Sequence, residues 1–118
     1  MAKRILVVDD DPAIADVVVF MLTEHGYDVN SLGDAQQVLL LKDNLPDLML
    51  LDVWLSGNDG RDVCRSLKKR TDTKQIPIIM FSASREIKDT TIEAGASDFI
   101  EKPFEMDELI QKIEEHIN

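Results

Sequence analysis

Short apolar runs alternate with longer amphipathic stretches along this chain. Five runs predict β-strands, at residues 5–8, 27–32, 48–52, 76–81 and 98–100. The runs at 5–8, 48–52 and 76–81 are almost wholly apolar, which is typical of strands buried on both faces, and the run at 98–100 is short. The run at 27–32 is weaker, since it carries Asp28 and Asn30, and we expect it at an edge of the sheet.

A stretch with helical spacing of apolar residues follows each run, which predicts five helices. Pro12 suits the first turn of the first helix, and Gly26 ends it. The second helix is predicted to begin after residues 33–34 and to end at 44–46. Asp59 is a suitable N-cap for the third helix, and Ser84 for the fourth.

The fourth helix, predicted to end at Gly95, has a thin apolar face, so we expect it to be loosely held. The last helix has a strong apolar stripe, formed by Met106, Leu109, Ile110, Ile113 and Ile117.

Strands that alternate with helices across short connections predict an α/β fold. Right-handed crossovers would make it a doubly wound, five-stranded parallel sheet with helices on both faces. At 118 residues the chain is expected to be one domain, 1–118. Because the last helix runs to the end of the sequence, we expect no output domain.

The formal net charge of −10 argues against direct binding of nucleic acid, which requires a basic surface. No stretch has the features of a secretion signal or the length of a membrane span, so we expect a cytoplasmic protein without membrane contact. The single cysteine, Cys64, lies on a helical apolar pattern and is interpreted as a core or boundary residue rather than a nucleophile.

Polar side chains stand where the apolar runs end. Asp9 and Asp10 follow the first strand, Asp52 ends the third, Ser82 follows the fourth, and Lys102 follows the fifth. Each alone is most simply a turn or capping residue. Together, at the carboxyl edge of a parallel sheet, they predict a ligand site. Three converging carboxylates would bind a hard divalent cation such as Mg²⁺, and the set favours phosphoryl transfer to a carboxylate.

Over its entire length the sequence resembles a receiver domain of two-component response regulators. The matching segments are 5–10, 50–52 with Gly57, 59–60, 81–83, 95–96 and 102–104. The resemblance implies a flavodoxin-like fold with strand order 2-1-3-4-5, the order of the chemotaxis member of this family. It also implies a signalling role, in which phosphorylation and dephosphorylation are self-catalysed, rather than an enzyme proper.

The resemblance implies that Asp52 is the phosphoacceptor. The phosphoryl group would come from the phosphohistidine of a sensor histidine kinase or a phosphotransfer protein. Asp10 would bind Mg²⁺ (or Mn²⁺) directly, together with Asp52. Asp9 would act through water, and the backbone carbonyl of Trp54 would complete the protein ligands.

The resemblance also assigns the switch. Ser82 would move towards the phosphoryl group, Phe99 would turn inward behind it, and Lys102 would contact a phosphoryl oxygen, with a cis bond to Pro103. The small Ala83 would leave room at the phosphorylated aspartate. The output surface would be the fourth helix, fifth strand and fifth helix, where a downstream protein that the sequence does not identify would bind.

The sequence departs from the family pattern in three places. Ser56 stands where a proline is usual, and we expect the loop to be looser for it. Trp54 is bulky and is expected to screen the phosphoryl group. Phe99 lacks the hydroxyl of the tyrosine that is common at this position.

Other classes of protein share parts of this pattern. A flavodoxin-like electron carrier would need a phosphate-binding loop after the first strand, but residues 9–12 are Asp-Asp-Asp-Pro. A haloacid-dehalogenase-type phosphatase normally places its nucleophile after the first strand and has a longer chain. The main alternative is a receiver-fold interaction module that is never phosphorylated.

Overall fold

The computed structural model describes residues 2–117 and shows a five-stranded parallel sheet and a short two-stranded hairpin. The sheet contains β1 (Arg4–Val8), β2 (Asp28–Leu32), β3 (Leu48–Asp52), β6 (Ile78–Ser82) and β7 (Asp98–Glu101), and the hairpin contains β4 (Trp54–Leu55) and β5 (Asn58–Asp59). The strands of the sheet lie in the order β2-β1-β3-β6-β7, which is the expected 2-1-3-4-5 when only these five are counted. The polar β2 lies at an edge of the sheet, as its sequence predicts.

Five α-helices lie within the described residues: α1 (Pro12–Glu24), α2 (Ala35–Leu39), α3 (Gly60–Lys69), α4 (Lys88–Glu93) and α5 (Met106–Ile117). Asp11, Asp34 and Asp59 cap the first three, because each carboxylate accepts a hydrogen bond from the amide two residues ahead. Residue Asp59 therefore has the capping role that its position predicts.

The sheet has a separate hydrophobic core on each face. Side chains alternate along each strand, so successive residues enter opposite cores. On one face the strands pack against α1 and α5 through Val18, Leu22, Leu109 and Ile113. On the other they pack against α2, α3 and the residues after α4 through Val38, Val63, Leu67, Ala94 and Ala96. Both faces of β3 are buried, as its run of four apolar residues indicates.

The second helix is shorter than predicted: α2 ends at Leu39, and Asn44 already has a φ of 53°. The guanidinium of Arg70 explains the early end. It donates to the carbonyl of Leu39 at 3.1 Å and to that of Leu41 at 2.7 Å. These bonds satisfy carbonyl groups that a continuing helix would have paired.

Two further local predictions were wrong. Ser84 does not cap a helix with its side chain; a 3-10 turn at Arg85–Ile87 precedes α4, and the Ser84 amide donates to Oγ of Ser82 at 3.1 Å. Residues 53–57 were expected to form a loop, but Trp54–Leu55 pairs with Asn58–Asp59 in the small antiparallel hairpin of β4 and β5.

Cys64 is fully buried within α3, which confirms its interpretation as a core residue. No helix within residues 2–117 combines the length and apolar character needed to cross a lipid bilayer.

Candidate phosphoacceptor site

Three carboxylates meet at the carboxyl ends of the neighbouring strands β1 and β3. β1 and β3 are hydrogen-bonded neighbours, with Val8 opposite Leu51, so Asp9 and Asp52 emerge side by side. Asp9, Asp10 and Asp52 each offer a carboxylate oxygen, and these oxygens lie within 4.8 Å of one another. The structure therefore brings together the three acidic residues that the sequence singled out.

The ammonium of Lys102 joins two of these carboxylates. Its Nζ lies 3.2 Å from Oδ2 of Asp52 and 3.3 Å from Oδ2 of Asp9. Nζ also lies 4.5 Å from the centre of the Phe81 ring, an arrangement that suits a cation. The peptide bond between Lys102 and Pro103 is cis, as the resemblance implies.

Asp9 and Asp52 are buried, whereas Asp10 is exposed. Both oxygens of each buried carboxylate have a donor. Oδ1 of Asp9 accepts from the amide of Asp11 at 2.9 Å, and Oδ1 of Asp52 accepts from the amide of Trp54 at 3.2 Å. These bonds, with those of Lys102, hold the two carboxylates in fixed orientations.

The pKa of Asp52 is raised above its ordinary value. Burial is the main cause, because it disfavours the charged form; the Lys102 ammonium opposes it, and the negative charge of Asp9 adds to it. The surroundings of Asp52 thus disfavour its ionised form, although Lys102 offsets part of this effect.

Asp10 is held from the hairpin that follows Asp52. The Ser56 amide donates to Oδ2 of Asp10 at 2.9 Å, and the Ser56 hydroxyl donates to the same oxygen. Ser56 therefore connects the hairpin to the end of β1, and the looser loop expected from the absent proline stays a prediction. The sequence marked Ser56 as a departure but did not reveal this contact.

Trp54, in the same hairpin, has an exposed side chain, and the guanidinium of Arg61 lies 5.1 Å from its ring centre. Its amide binds Asp52, as described above. The role expected for its backbone carbonyl remains a prediction.

Ser82 and Phe99 occupy neighbouring strands beside the site. Ser82 is buried at the end of β6, one residue beyond Phe81, which pairs with Asp52. Its carbonyl accepts from the amide of Lys102 at 2.9 Å. Phe99 is also buried and pairs with Met80 in the sheet. It lines a small groove between α5 and the 3-10 turn that precedes α4.

Gly60 is required by the close approach of α3 to Asp52. A Cβ atom at this position would lie well inside van der Waals contact with the carbonyl oxygen of Asp52, and close to the backbone of Val53. The Gly60 amide donates to the carbonyl of Val53 at 2.6 Å. Gly60, which lies in one of the segments that resemble receiver domains, thus allows α3 to begin directly beside the end of β3.

The donor set fits a hard divalent cation. Three carboxylates supply oxygen ligands, and their mutual repulsion is only partly offset by one ammonium. Asp10 is exposed at this edge of the sheet, so a cation could reach the three carboxylates from solvent beside it. Such a site suits Mg²⁺, which commonly keeps several waters beside one or two carboxylates.

Comparison with known proteins agrees with this geometry. Residues 5–114 match the family described as "Response regulator receiver domain". The chain is 41% identical over 116 residues to the DNA-binding response regulator MtrA of Mycolicibacterium smegmatis, covering 96% of this chain and 50% of that protein. The chain thus spans about half the length of this curated relative.

Two solved structures are similar over nearly their full length. The receiver domain of NtrX from Brucella abortus has a TM-score of 0.87 and 36% identity, covering 96% of this chain and 97% of its own. The receiver domain of the sensor histidine kinase PA1611 from Pseudomonas aeruginosa has a TM-score of 0.90 and 28% identity, covering 99% and 98%. That structure is described with a magnesium ion coordinated in its active-site cleft.

The fold is that of receiver domains, and the three aspartates and Lys102 lie at its switch point. On the family match and these similarities, the chain belongs to the response regulator receiver domain family of two-component signalling.

Proposed function

We propose that this protein is a phosphorelay receiver that accepts a phosphoryl group on Asp52 from the phosphohistidine of a sensor histidine kinase or phosphotransfer protein. The observation that carries the proposal is the position of Asp52. It is buried at the end of the central strand, beside Asp9 and Asp10, with the Lys102 ammonium 3.2 Å from its Oδ2.

The proposed reaction forms one bond and breaks one. An oxygen of Asp52 attacks phosphorus, the bond between phosphorus and the donor imidazole nitrogen breaks, and the imidazole leaves with its electron pair. Hydrolysis later returns the carboxylate and releases inorganic phosphate. The chain contributes positioning and charge, which are the main means of catalysis in phosphoryl transfer.

Lys102 is suited to exchange one anionic partner for another. In the present structure its ammonium lies between Asp9 and Asp52. A phosphoryl group on Asp52 adds charged oxygens at this position, and Lys102 would pair with one of them. The ammonium would thereby offset charge that develops during transfer.

Asp10 and Asp52 are the residues we propose to hold Mg²⁺ (or Mn²⁺) directly, with Asp9 acting through water and the Trp54 carbonyl completing the set. When bound, such a cation neutralises charge on the carboxylate and phosphoryl oxygens. The magnesium described in the PA1611 receiver domain supports this proposal.

The switch that we propose begins at Ser82 and ends at α4. Ser82 would turn its hydroxyl towards the phosphoryl group, and Phe99 would move in behind it. The α4 helix is suited to respond because it has only six residues, follows a 3-10 turn and buries only Thr91 among them. The resulting output surface, formed by α4, β7 and α5, would bind a downstream protein.

An apolar groove beside the site is suited to binding the protein that donates the phosphoryl group. It has a volume of about 700 Å³ and runs from the exposed side of α1, at Val17 and Met21, to Ala83 and Lys102. Val17 is 60% exposed and Met21 is 39% exposed, and neighbouring exposed apolar residues of this kind commonly mark a surface that binds another protein. A helix of the donor packed here would place its phosphohistidine near Asp52.

We further propose that the protein acts in signalling and has no separate substrate to turn over. The net charge of −10 supports the absence of direct contact between this chain and nucleic acid. The DNA-binding activity in the name of the MtrA relative is a property of that protein, which is about twice as long as the matched region.

Incubation with acetyl phosphate and Mg²⁺, followed by intact mass measurement, tests the proposal. We expect addition of one phosphoryl group, lost in Asp52→Asn and in the presence of a chelator. Asp72→Asn is a matched control, because Asp72 pairs with Arg70 on the surface, and it should be phosphorylated normally. If neither acetyl phosphate nor beryllofluoride modified the chain, the unphosphorylated interaction module would replace this proposal.

A further inference from the structure

Ser56 makes two hydrogen bonds to a single oxygen of Asp10, although 46 residues separate them in the sequence. The backbone amide is 2.9 Å from Oδ2, and the side-chain hydroxyl donates to the same atom. Ser56 can reach Asp10 because it lies in the turn of the β4–β5 hairpin, where Gly57 adopts a φ of 73°. The segment after the acceptor strand is thus connected to the end of β1.

The three carboxylates of the site are held in different ways. Asp9 and Asp52 are buried and share the Lys102 ammonium. Asp10 is exposed, and within residues 2–117 both hydrogen bonds to its side chain come from Ser56 and end on Oδ2. Its other oxygen, Oδ1, has no donor among the described residues.

We propose that Ser56 is a positioning residue for the divalent cation: it anchors Oδ2 of Asp10 and leaves Oδ1 oriented for the metal. This inference rests on the proposed function, since it assumes that Asp10 is a metal ligand. An exposed carboxylate otherwise samples several rotamers, and ordering it costs binding free energy. Two hydrogen bonds to the charged group reduce that cost before the cation arrives.

The proposal is particular to serine at this position. The proline that is usual here has no amide hydrogen and no hydroxyl, so it could supply neither bond. Alanine would keep the amide bond and lose the hydroxyl bond, whereas threonine would keep both. Substitutions at Ser56 can therefore separate the two contributions without altering any of the carboxylates.

Mg²⁺ affinity of the unphosphorylated protein is the direct test, measured by calorimetric titration and by the fluorescence of Trp54, the single tryptophan. We expect Ser56→Ala to weaken Mg²⁺ binding by about three- to tenfold, as for loss of one hydrogen bond to a partly exposed charge. Ser56→Pro should weaken it further, and Ser56→Thr should retain the wild-type affinity.

Asn58→Ala is the matched control. The Asn58 side chain donates to the Ser56 carbonyl at 3.2 Å, so its removal affects the same hairpin without removing a bond to Asp10. We expect its Mg²⁺ affinity to equal that of the wild type. Comparable weakening in Asn58→Ala and Ser56→Ala would overturn the proposal, because hairpin rigidity would then explain both.

Two further results would also overturn it, and they differ in meaning. If Ser56→Ala bound Mg²⁺ as tightly as the wild type, Ser56 would have no positioning role while the proposed function would stand. If the wild-type protein bound no Mg²⁺, the metal-dependent function itself would fail together with this inference.

Discussion

Arg61 Nη1 donates a hydrogen bond of 2.9 Å to Oγ1 of Thr90 and thereby joins α3 to α4. The same guanidinium forms a bidentate pair with Asp59, in which Nε donates to Oδ1 at 2.9 Å and Nη2 donates to Oδ2 at 2.6 Å, and it lies over the ring of Trp54. Arg61 therefore contacts both the hairpin that follows Asp52 and the helix that we expect to move. It provides a physical connection between this hairpin and α4.

Removing this connection should loosen α4. In Arg61→Met, which keeps a long apolar stem, we expect the amides of α4 to exchange with solvent about fivefold faster, as for loss of one hydrogen bond. Hydrogen exchange measured by mass spectrometry or NMR would show the change. Arg65→Met is the control, because Arg65 pairs only locally with the exposed Asp62, and equal exchange in both variants would contradict the connection.

The raised pKa of Asp52 predicts a pH-dependent effect on stability. Because the folded-state pKa exceeds the unfolded one, ionisation of Asp52 makes the folded state less stable as pH rises through that interval. Asp52→Asn should therefore be more stable than the wild type at pH 7 without metal, by about 1 kcal/mol. The difference should shrink as pH falls to about 4, the ordinary pKa of aspartate.

Urea denaturation with a chelator present, at pH 7 and pH 4, measures this difference. The control is Asp72→Asn. The hydrogen bond from Arg70 lowers the pKa of the Asp72 carboxyl, so replacing this carboxylate should not stabilise the protein. If the wild-type protein were instead more stable than Asp52→Asn at pH 7, ionisation of Asp52 would not destabilise the folded state, and the prediction would be wrong.

Gly60 should tolerate no side chain. In Gly60→Ala the new Cβ would overlap the carbonyl oxygen of Asp52, and we expect a loss of about 2–3 kcal/mol in the free energy of unfolding. Gly57→Ala is the comparison: Gly57 has a φ of 73° but no neighbouring atom within 4 Å of a Cβ, so only backbone strain of about 1 kcal/mol is expected. Similar losses in both variants would argue against the close approach at Gly60.

Cys64 should be unreactive in the folded protein. Burial raises the pKa of its thiol to about 11, so little thiolate exists at pH 8 and the side chain is inaccessible. We expect a disulfide reagent to modify Cys64 slowly in buffer and rapidly in urea. Complete modification of the folded protein on mixing would show that the core around α3 is open.

The sequence predicted the sheet and the gathering of Asp9, Asp10, Asp52 and Lys102, because apolar runs identify strands and parallel strands end at one edge. It failed where distant side chains decide the outcome. The early end of α2 depends on Arg70, which lies 31 residues beyond Leu39.

The contact between Ser56 and Asp10 depends on a hairpin that no apolar pattern signals. The absence of an output domain stays a prediction, as do the individual roles of the site residues.

Reductive trapping of the phosphorylated residue tests the central claim most directly. Borohydride reduces an aspartyl phosphate to homoserine, so peptide mass analysis after phosphorylation by acetyl phosphate and Mg²⁺ locates the acceptor. We expect homoserine at residue 52 and at no other aspartate. Homoserine at position 9 or 10, or its appearance at another residue with Asp52 intact, would contradict it.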